Sequence, residues 1–528
     1  MKKISIIMHY SQKLSYDDAK FNEILTSIIN QNYQQWELII LDYSGQNTDH
    51  SKLANDDRII YLSCDFINRA TVINTALNRA SGDYIMLVDN LTQPVKFRLS
   101  TIETFLMVAE RNQRVGMVYS DYRSIDKNNS AMDIHLLDPH IGRVRDSMDY
   151  GAILFFPKSA LTMVNGLNES YERADLYDLI LKLSTKHKLI HINAAANGYT
   201  YIVEAKAKEQ DIFGYIKDDK KSQLELEHAL TDHLKRIGAY LEPGFNYHEV
   251  YNDISYSKEE LAQFETCIAS VVIPVFNREE FIATAIESVQ AQTTQNVEVI
   301  IVVNGGPNDP TIRGVKPYLK GGVKYDPGKP AVKLIVEDIN NLGLCLNKGI
   351  NHARGKYYIQ LDSDDRLKPD AVEKILAVFN SDPRIAMVIG SYEVWEKDDQ
   401  TGKVNRKTDM KVVTHDEWTE ENGRNNLLRI NGAGAPRAFN IKIFKKLSGF
   451  GMNDSDYCRN YGEDYDLVLR ISEKYRIGRV WEPIYDVVRH SGGTDHSIDQ
   501  LTIDRNDNAK DHMRKEAIMR RKELNLQR

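Results

Sequence analysis

Apolar residues in this chain fall into short continuous runs bounded by turn residues, and these runs alternate with stretches of helical period. Ser5-Ile6-Ile7 predicts a first strand, Thr26-Ser27-Ile28-Ile29-Asn30-Gln31 the end of a helix, and Trp36-Glu37-Leu38-Ile39-Ile40-Leu41 a strand buried on both faces of a parallel sheet. The same succession returns in the second half as Ser270-Val271-Val272-Ile273, Glu287-Ser288-Val289-Gln290-Ala291-Gln292 and Val297-Glu298-Val299-Ile300-Ile301-Val302. The echo continues where Asn74 to Tyr84 runs against Asn347 to Tyr357. Each copy ends a helix at a glycine (Gly82, Gly355) and enters a strand that finishes at Asp89 or Asp362. Later, Asp178-Leu179-Ile180-Leu181-Lys182 repeats as Asp466-Leu467-Val468-Leu469-Arg470.

Strands alternating with helices of this length imply βαβ units, so the fold class is α/β with a mostly parallel sheet. Two similar domains are expected at 1–205 and 268–500. Between them, 206–267 forms a connector whose helical part runs from Ser222 to Ala239, and 501–528 forms a C-terminal helix. From Asn508 that helix carries seven Lys/Arg against three acids. With 42% hydrophobic and 27% charged residues, the 528-residue chain has material for more than one core. A net charge of -7 argues against nucleic acid as partner. Four scattered cysteines without a CxxC pair favour a reducing cytoplasm over a disulfide or zinc framework. The apolar run at Ile4 is too short for a secretion signal and reads as a strand, and no run approaches the ~18 residues that cross a bilayer.

Four motifs of the second half change the picture. Leu361-Asp362-Ser363-Asp364-Asp365 puts carboxylates at the end of a parallel strand, where open α/β sheets bind ligands. Asp362 and Asp364, two apart, can face one hard cation such as Mg²⁺ or Mn²⁺ and so neutralise a diphosphate; a solvated acidic turn is the plain alternative. Upstream, the strand through Pro274 opens to Phe276-Asn277-Arg278-Glu279, and the next strand ends at Asn304-Gly305-Gly306. Downstream, Gly462-Glu463-Asp464 begins a helix, as a cap or as chemistry, and Arg489-His490-Ser491 offers an imidazole.

In this order, over nearly all of 269–490, the motifs resemble family 2 of the inverting glycosyltransferases, which share the glycosyltransferase A-type, Rossmann-like fold. The resemblance implies two such domains in tandem. It implies that Asp362 and Asp364 hold Mn²⁺ or Mg²⁺ on a donor diphosphate, with His490 as third ligand. Asp464 would be the general base and Glu463 would contact the acceptor. Pro274, Phe276, Asn277, Glu279, Asn304, Asn341, Asn347, Lys348 and Asp362 would line the nucleotide pocket. The base-reading turn departs from the family's aspartates, with Val303-Asn304 in their place. A customary arginine is replaced by Leu346, leaving Lys348 to supply the charge. Trp418 reads as a sugar-stacking platform or a core indole.

The first copy lacks this chemistry. Leu91 stands at the position of Asp364, Leu176 at that of Asp464, and Tyr199–Glu204 holds no histidine to answer His490. The expectation is a non-catalytic first domain and one metal-dependent transferase centre, serving bacterial surface glycan or glycoconjugate synthesis. Its partners would be a nucleotide-sugar donor and a glycan, lipid-linked or protein acceptor. Contact of the basic helix with the inner face of a membrane and pairing with a second copy are further options. A non-catalytic nucleotide-sugar or glycan binder and a two-activity polymerase are the alternatives. A nucleotidyltransferase would need a glycine- and lysine-rich phosphate loop, which Pro274–Glu279 is not.

Overall fold

A computed structural model describes the chain except for residues 12–15, 45–52, 54–55, 65–67, 195–197, 205–219, 245–246, 399, 416–421, 431, 433, 453–460, 491–499 and 528. It divides into two compact units, Met1–Tyr240 and Leu241–Arg528. Strands of unit 1 are β1 (Ile4–Tyr10), β2 (Trp36–Asp42), β3 (Ile59–Ser63), β4 (Tyr84–Val88), β5 (Val95–Phe97) and β6 (Val115–Ser120). They continue with β7 (Tyr122–Ile125), β8 (Ala131–Ile134), β9 (Ile153–Pro157), β10 (Lys188–Ile192) and β11 (Tyr201–Glu204). Among the described residues, seven form one sheet in the order β3-β2-β1-β4-β9-β6-β10, and β5, β11, β7 and β8 form a smaller one.

Unit 2 contains β12 (Ala269–Val275), β13 (Val297–Val303), β14 (Ala331–Val336), β15 (Tyr357–Gln360) and β16 (Arg366–Leu367). After them come β17 (Ile385–Lys397), β18 (Val404–Arg406), β19 (Arg437–Asn440) and β20 (Arg476–Arg489). Their order is β14-β13-β12-β15-β19-β17-β20-β16, with β18 on β17. Its first seven places repeat the sheet of unit 1. In both, the strand in the fifth place (β9 or β19) is antiparallel to its two neighbours, and the remaining pairs of the seven are parallel.

The repeat extends to the hydrogen bonds that lock strands to helices. Every residue of β1, β2, β12 and β13 is buried, so the carboxylates of Glu37 and Glu298 need internal partners. Ser5 Oγ donates to Glu37 at 2.6 Å and accepts from the Gly82 N–H at 2.9 Å; Ser270 Oγ donates to Glu298 at 2.7 Å and accepts from Gly355 at 3.0 Å. A side chain at either glycine would collide with the adjacent strand backbone, at 2.6 Å from Ser5 N or 2.7 Å from Ala269 C. The Gln31 amide bridges the Ser27 carbonyl and the Ile102 N–H, as Gln292 bridges Ser288 and Val372.

Asn74 donates to the Leu167 carbonyl (2.9 Å) and accepts from its N–H (3.1 Å). Asn347 does the same with Phe450 at 2.9 and 3.0 Å. In this conformation the Asn347 amide is spent on backbone and not turned to a nucleotide.

The expected connector is shared out between the units. Helix Lys220–Ile237 packs on helix Asp175–Lys186 in unit 1, while helices Val250–Asp253 and Lys258–Thr266 lie in unit 2. Helix Gln500–Leu526 packs on helix Glu463–Lys474, and Lys510, Arg514 and Arg521 turn inward while Arg505 and Lys515 are exposed. Fully buried Arg514 donates to the Leu428 and Ile430 carbonyls at 2.9 and 2.8 Å, and Arg521 to the Arg424 carbonyl at 2.6 Å. Among the described residues no helix is long and apolar enough to cross a membrane.

Asn74→Ala and Asn347→Ala each strand a buried N–H and carbonyl at the Leu167 or Phe450 clamp. Each should cost about 1–3 kcal/mol, read as a lower urea midpoint. An unshifted midpoint for Asn347→Ala would free that amide for another role.

Candidate active site

The carboxyl ends of β12, β13 and β15 bring the sequence-selected residues to one edge of the unit 2 sheet. Pro274 pairs with Val302 inside it. Beyond the strand, Phe276 is exposed and Asn277 takes a left-handed backbone (φ 52°), its N–H donating to Asp309 at 3.0 Å. Asn304 follows β13; its N–H donates to the Val275 carbonyl at 3.0 Å and its side chain is buried. Asn304 Nδ2 lies 3.4 Å from Asn340 Oδ1, whereas Asn304 Oδ1 is buried with no hydrogen-bond partner. Glu279 opens the next helix and pairs with Arg313 at 2.7 Å; Lys348 pairs with Glu337 at 2.7 Å. Asn341 caps helix Leu342–Asn351 by accepting from the Leu344 N–H at 2.8 Å. Polar duties within the fold thus occupy the side chains of Glu279, Asn341, Asn347 and Lys348.

The acids lie where β15 ends. The Asp362 N–H donates to the Tyr485 hydroxyl at 3.1 Å, fixing the turn, and its carboxylate accepts from Gln360 at 3.3 Å. His490, at the end of β20, sets Nε2 at 3.0 Å from Asp364 Oδ2 and stacks on Phe281 with ring centroids 4.4 Å apart. Arg278 Nε lies 3.9 Å from the same Asp364 oxygen. Asp365, buried, accepts from the Val488 N–H at 2.8 Å and so anchors the strand that delivers His490. Burial raises the Asp362 carboxyl, with the Asp364 charge adding to it against Arg437.

Asp464 forms an ion pair with Arg437 at 3.0 Å. Burial works to raise the Asp464 carboxyl, but Arg437 and Lys510 outweigh it and hold it below the usual carboxylate range. Burial and the adjacent Asp464 charge push Glu463 up to about 7. Lys510 arrives from the C-terminal helix, its ammonium 4.6 Å from the centre of the Tyr461 ring. That helix sits so close that a side chain at Gly462 (φ +80°) would meet Met513 Cε at 2.7 Å.

The structure therefore brings Asp364 to His490 and places Asp362, Glu463 and Asp464 around one guanidinium, whose charge all three favour. Among the described residues no three acids, histidines or cysteines converge as a metal cage. As a donor set, half-buried Asp362 with Asp364 and an imidazole suits a hard divalent cation whose remaining ligands come from elsewhere. Arg437 and Asp365 were missed by sequence reasoning, although Asp365 adjoins the motif and Arg437 opens a strand. Lys510 was missed because a helix from the far end of the unit delivers it. Trp418 lies outside the described residues.

In unit 1 the corresponding acids are differently engaged. Asp175, at the position of Glu463, is fully buried and held by both Nε (2.8 Å) and Nη2 of Arg69.

Comparison with known proteins places part of this unit in a family. Residues 270–447 match the family model described as Glycosyl transferase family 2. They form a family 2 glycosyl transferase domain. The match takes in Asp362, Asp364 and Arg437 and stops before Glu463, Asp464 and His490. The hyaluronan synthase of Pasteurella multocida is 28% identical over 236 residues, 45% of this chain and 22% of that protein. The chondroitin synthase of Escherichia coli is 26% identical over 260 residues, 48% of this chain and 34% of that one. The chain thus spans about a third or less of the length of these two relatives. An uncharacterized glycosyltransferase of Rickettsia felis is 23% identical over 510 residues, covering 92% of this chain and 79% of that one.

The transferase domain should carry a pH signature. Unfolded Glu463 titrates at its ordinary 4.5 and the folded group at about 7, so between these values the folded state holds the extra proton. Stability contributed by this group should fall as pH rises from about 4.5 to about 7. Glu463→Gln should flatten that part of a curve of urea midpoint against pH; an unchanged slope would place the proton elsewhere.

Proposed function

We propose that unit 2 transfers a sugar from a nucleotide-sugar donor to an acceptor hydroxyl with inversion, from a single active centre. The observation that carries this reading is the Arg437–Asp464 ion pair at 3.0 Å, with Glu463 next to it in the chain, beside the Asp362–Asp364 turn. The acceptor hydroxyl attacks the anomeric carbon, Asp464 takes its proton, and Glu463 donates a hydrogen bond that orients the acceptor. Arg437 keeps Asp464 charged and in place. Asp362, Asp364 and His490 would hold Mn²⁺ or Mg²⁺, which when bound stabilises the departing diphosphate. The buried, unpartnered Asn304 oxygen supplies an acceptor for an N–H of the nucleotide base, and Phe276 an exposed ring beside it.

The acceptor is a glycan, lipid-linked or protein hydroxyl. The two synthase relatives support glycan assembly as the setting, and the cytoplasm or the inner face of its membrane supplies the donor. Unit 1 is a non-catalytic copy: Leu91 cannot bind a metal, Leu176 cannot take a proton, and Asp175 is bound to Arg69.

Two measurements test the centre. Exhaustive chelation should abolish transfer, and Mn²⁺ or Mg²⁺ should restore it; full activity in EDTA would remove the metal from the scheme. Asp464→Asn keeps size and removes basicity, so turnover should fall ~10²–10⁴-fold with nucleotide affinity nearly unchanged. Weakened nucleotide binding with turnover preserved would overturn the role given to Asp464.

A further inference from the structure

The place of the acid centre is taken in unit 1 by a cavity of about 280 Å³. Sheet register identifies the correspondence. Tyr84 faces Pro157 and Met86 faces Phe155 across β4 and β9, as Tyr357 faces Asn440 and Ile359 faces Ala438 across β15 and β19. Leu154 therefore stands where unit 2 has Arg437, and on the helix that follows Leu176 stands where it has Asp464. Both members of the ion pair have become leucine, and both leucines line the cavity.

The rest of the lining is not what a mere packing defect would have. Three arginines, Arg143, Arg145 and Arg173, face two aspartates, Asp146 and Asp149, with Tyr150 and Tyr177 among them. Arg143 and Arg145 are only 6% and 4% exposed. Their loop is fixed from behind: the His191 ring bridges Asp121 (2.7 Å) and Asp138 (2.8 Å), the Leu136 N–H donates to Asp121 (2.7 Å), and the Tyr119 hydroxyl donates to the Leu137 carbonyl (2.6 Å). Arg143 Nε donates to the Asp138 carbonyl at 3.0 Å, Arg145 Nη1 to the Ser147 carbonyl at 2.9 Å, and the Tyr177 hydroxyl to the Val144 carbonyl. Asp149 is turned to the Gly151 N–H at 2.8 Å. A pinned loop that carries two buried guanidiniums beside an apolar floor has the preorganisation a ligand site requires.

We propose that this cavity binds an acidic saccharide and holds it without turnover. Guanidinium groups recognise the carboxylate or sulfate, while the tyrosine and leucine surfaces meet the apolar face of the ring. Its volume lies near the lower end of the ~300–1,000 Å³ typical of small-molecule sites, which suits a terminal unit of a glycan rather than a long segment. The site rests on unit 1 alone and does not require the assignment of the transferase centre.

Calorimetric titration of the full chain with tetragalacturonate, a sulfated heparin tetrasaccharide and neutral chitotetraose tests this. At least one acidic probe should bind at least ten-fold more tightly than chitotetraose, and weaken with added NaCl. Arg145→Gln and Arg173→Gln should each weaken it ten-fold or more, and Leu176→Trp, which fills the cavity, should abolish it. Arg173 is exposed, so its variant remains decisive if Arg145→Gln fails to fold. The double variant Asp362→Asn/Asp364→Asn should leave binding unchanged. Equal affinity for the neutral probe, no binding of either acidic one, or binding that survives Leu176→Trp would overturn the proposal. Loss of binding in the double variant would do the same by placing the saccharide in unit 2.

Discussion

Asp362, Glu463 and Asp464 come together half-buried at the edge of the unit 2 sheet, where like charges repel more strongly than in water. The Arg437 guanidinium makes that gathering tolerable. It lies 3.0 Å from Asp464, and its own charge is favoured by all three acids. Its position is set by backbone register, since β19 runs antiparallel between β15 and β17 and places residue 437 at the strand end. Removing one side of such an arrangement leaves a half-buried charge uncompensated. The acids and the guanidinium are therefore one unit of structure before they are a unit of chemistry.

Around that centre the framework is indifferent to chemistry. The serine–glutamate–glycine lock, the glutamine bridge and the asparagine clamp occur with nearly the same lengths in the unit that has the acid cluster and in the one that lacks it. These bonds satisfy groups that a doubly covered parallel sheet cannot expose to water. They explain why residues in the two halves still match at Ser5, Gln31, Asn74 and Gly82 while the functional positions have diverged.

Much of this was legible in the residue pattern because backbone demands repeat with a fixed period. Buried runs gave the strands, and the glycine after each helix marked a close approach of backbone to backbone. The edge carrying Asp362 and Asp364 followed from the position of acids after a strand. What could not be read were partnerships across long separations. Nothing local links Arg437 to Asp464, or Lys510 to Glu463, and nothing in the run of basic residues tells that Arg514 and Arg521 turn inward while Lys515 faces out. Asn347 was equally opaque, because an amide that clamps a backbone and one that binds a nucleotide look alike in sequence.

The double leucine at 154 and 176 bears on the history of the fold. Restoring an aspartate at 176 alone would leave it facing Leu154 where Asp464 has a guanidinium, and restoring an arginine at 154 alone would leave it facing Leu176 where Arg437 has a carboxylate. Neither change by itself rebuilds the ion pair found in unit 2. The two positions act as one, so an acid centre of the unit 2 kind would need both substitutions together on a scaffold that is otherwise intact.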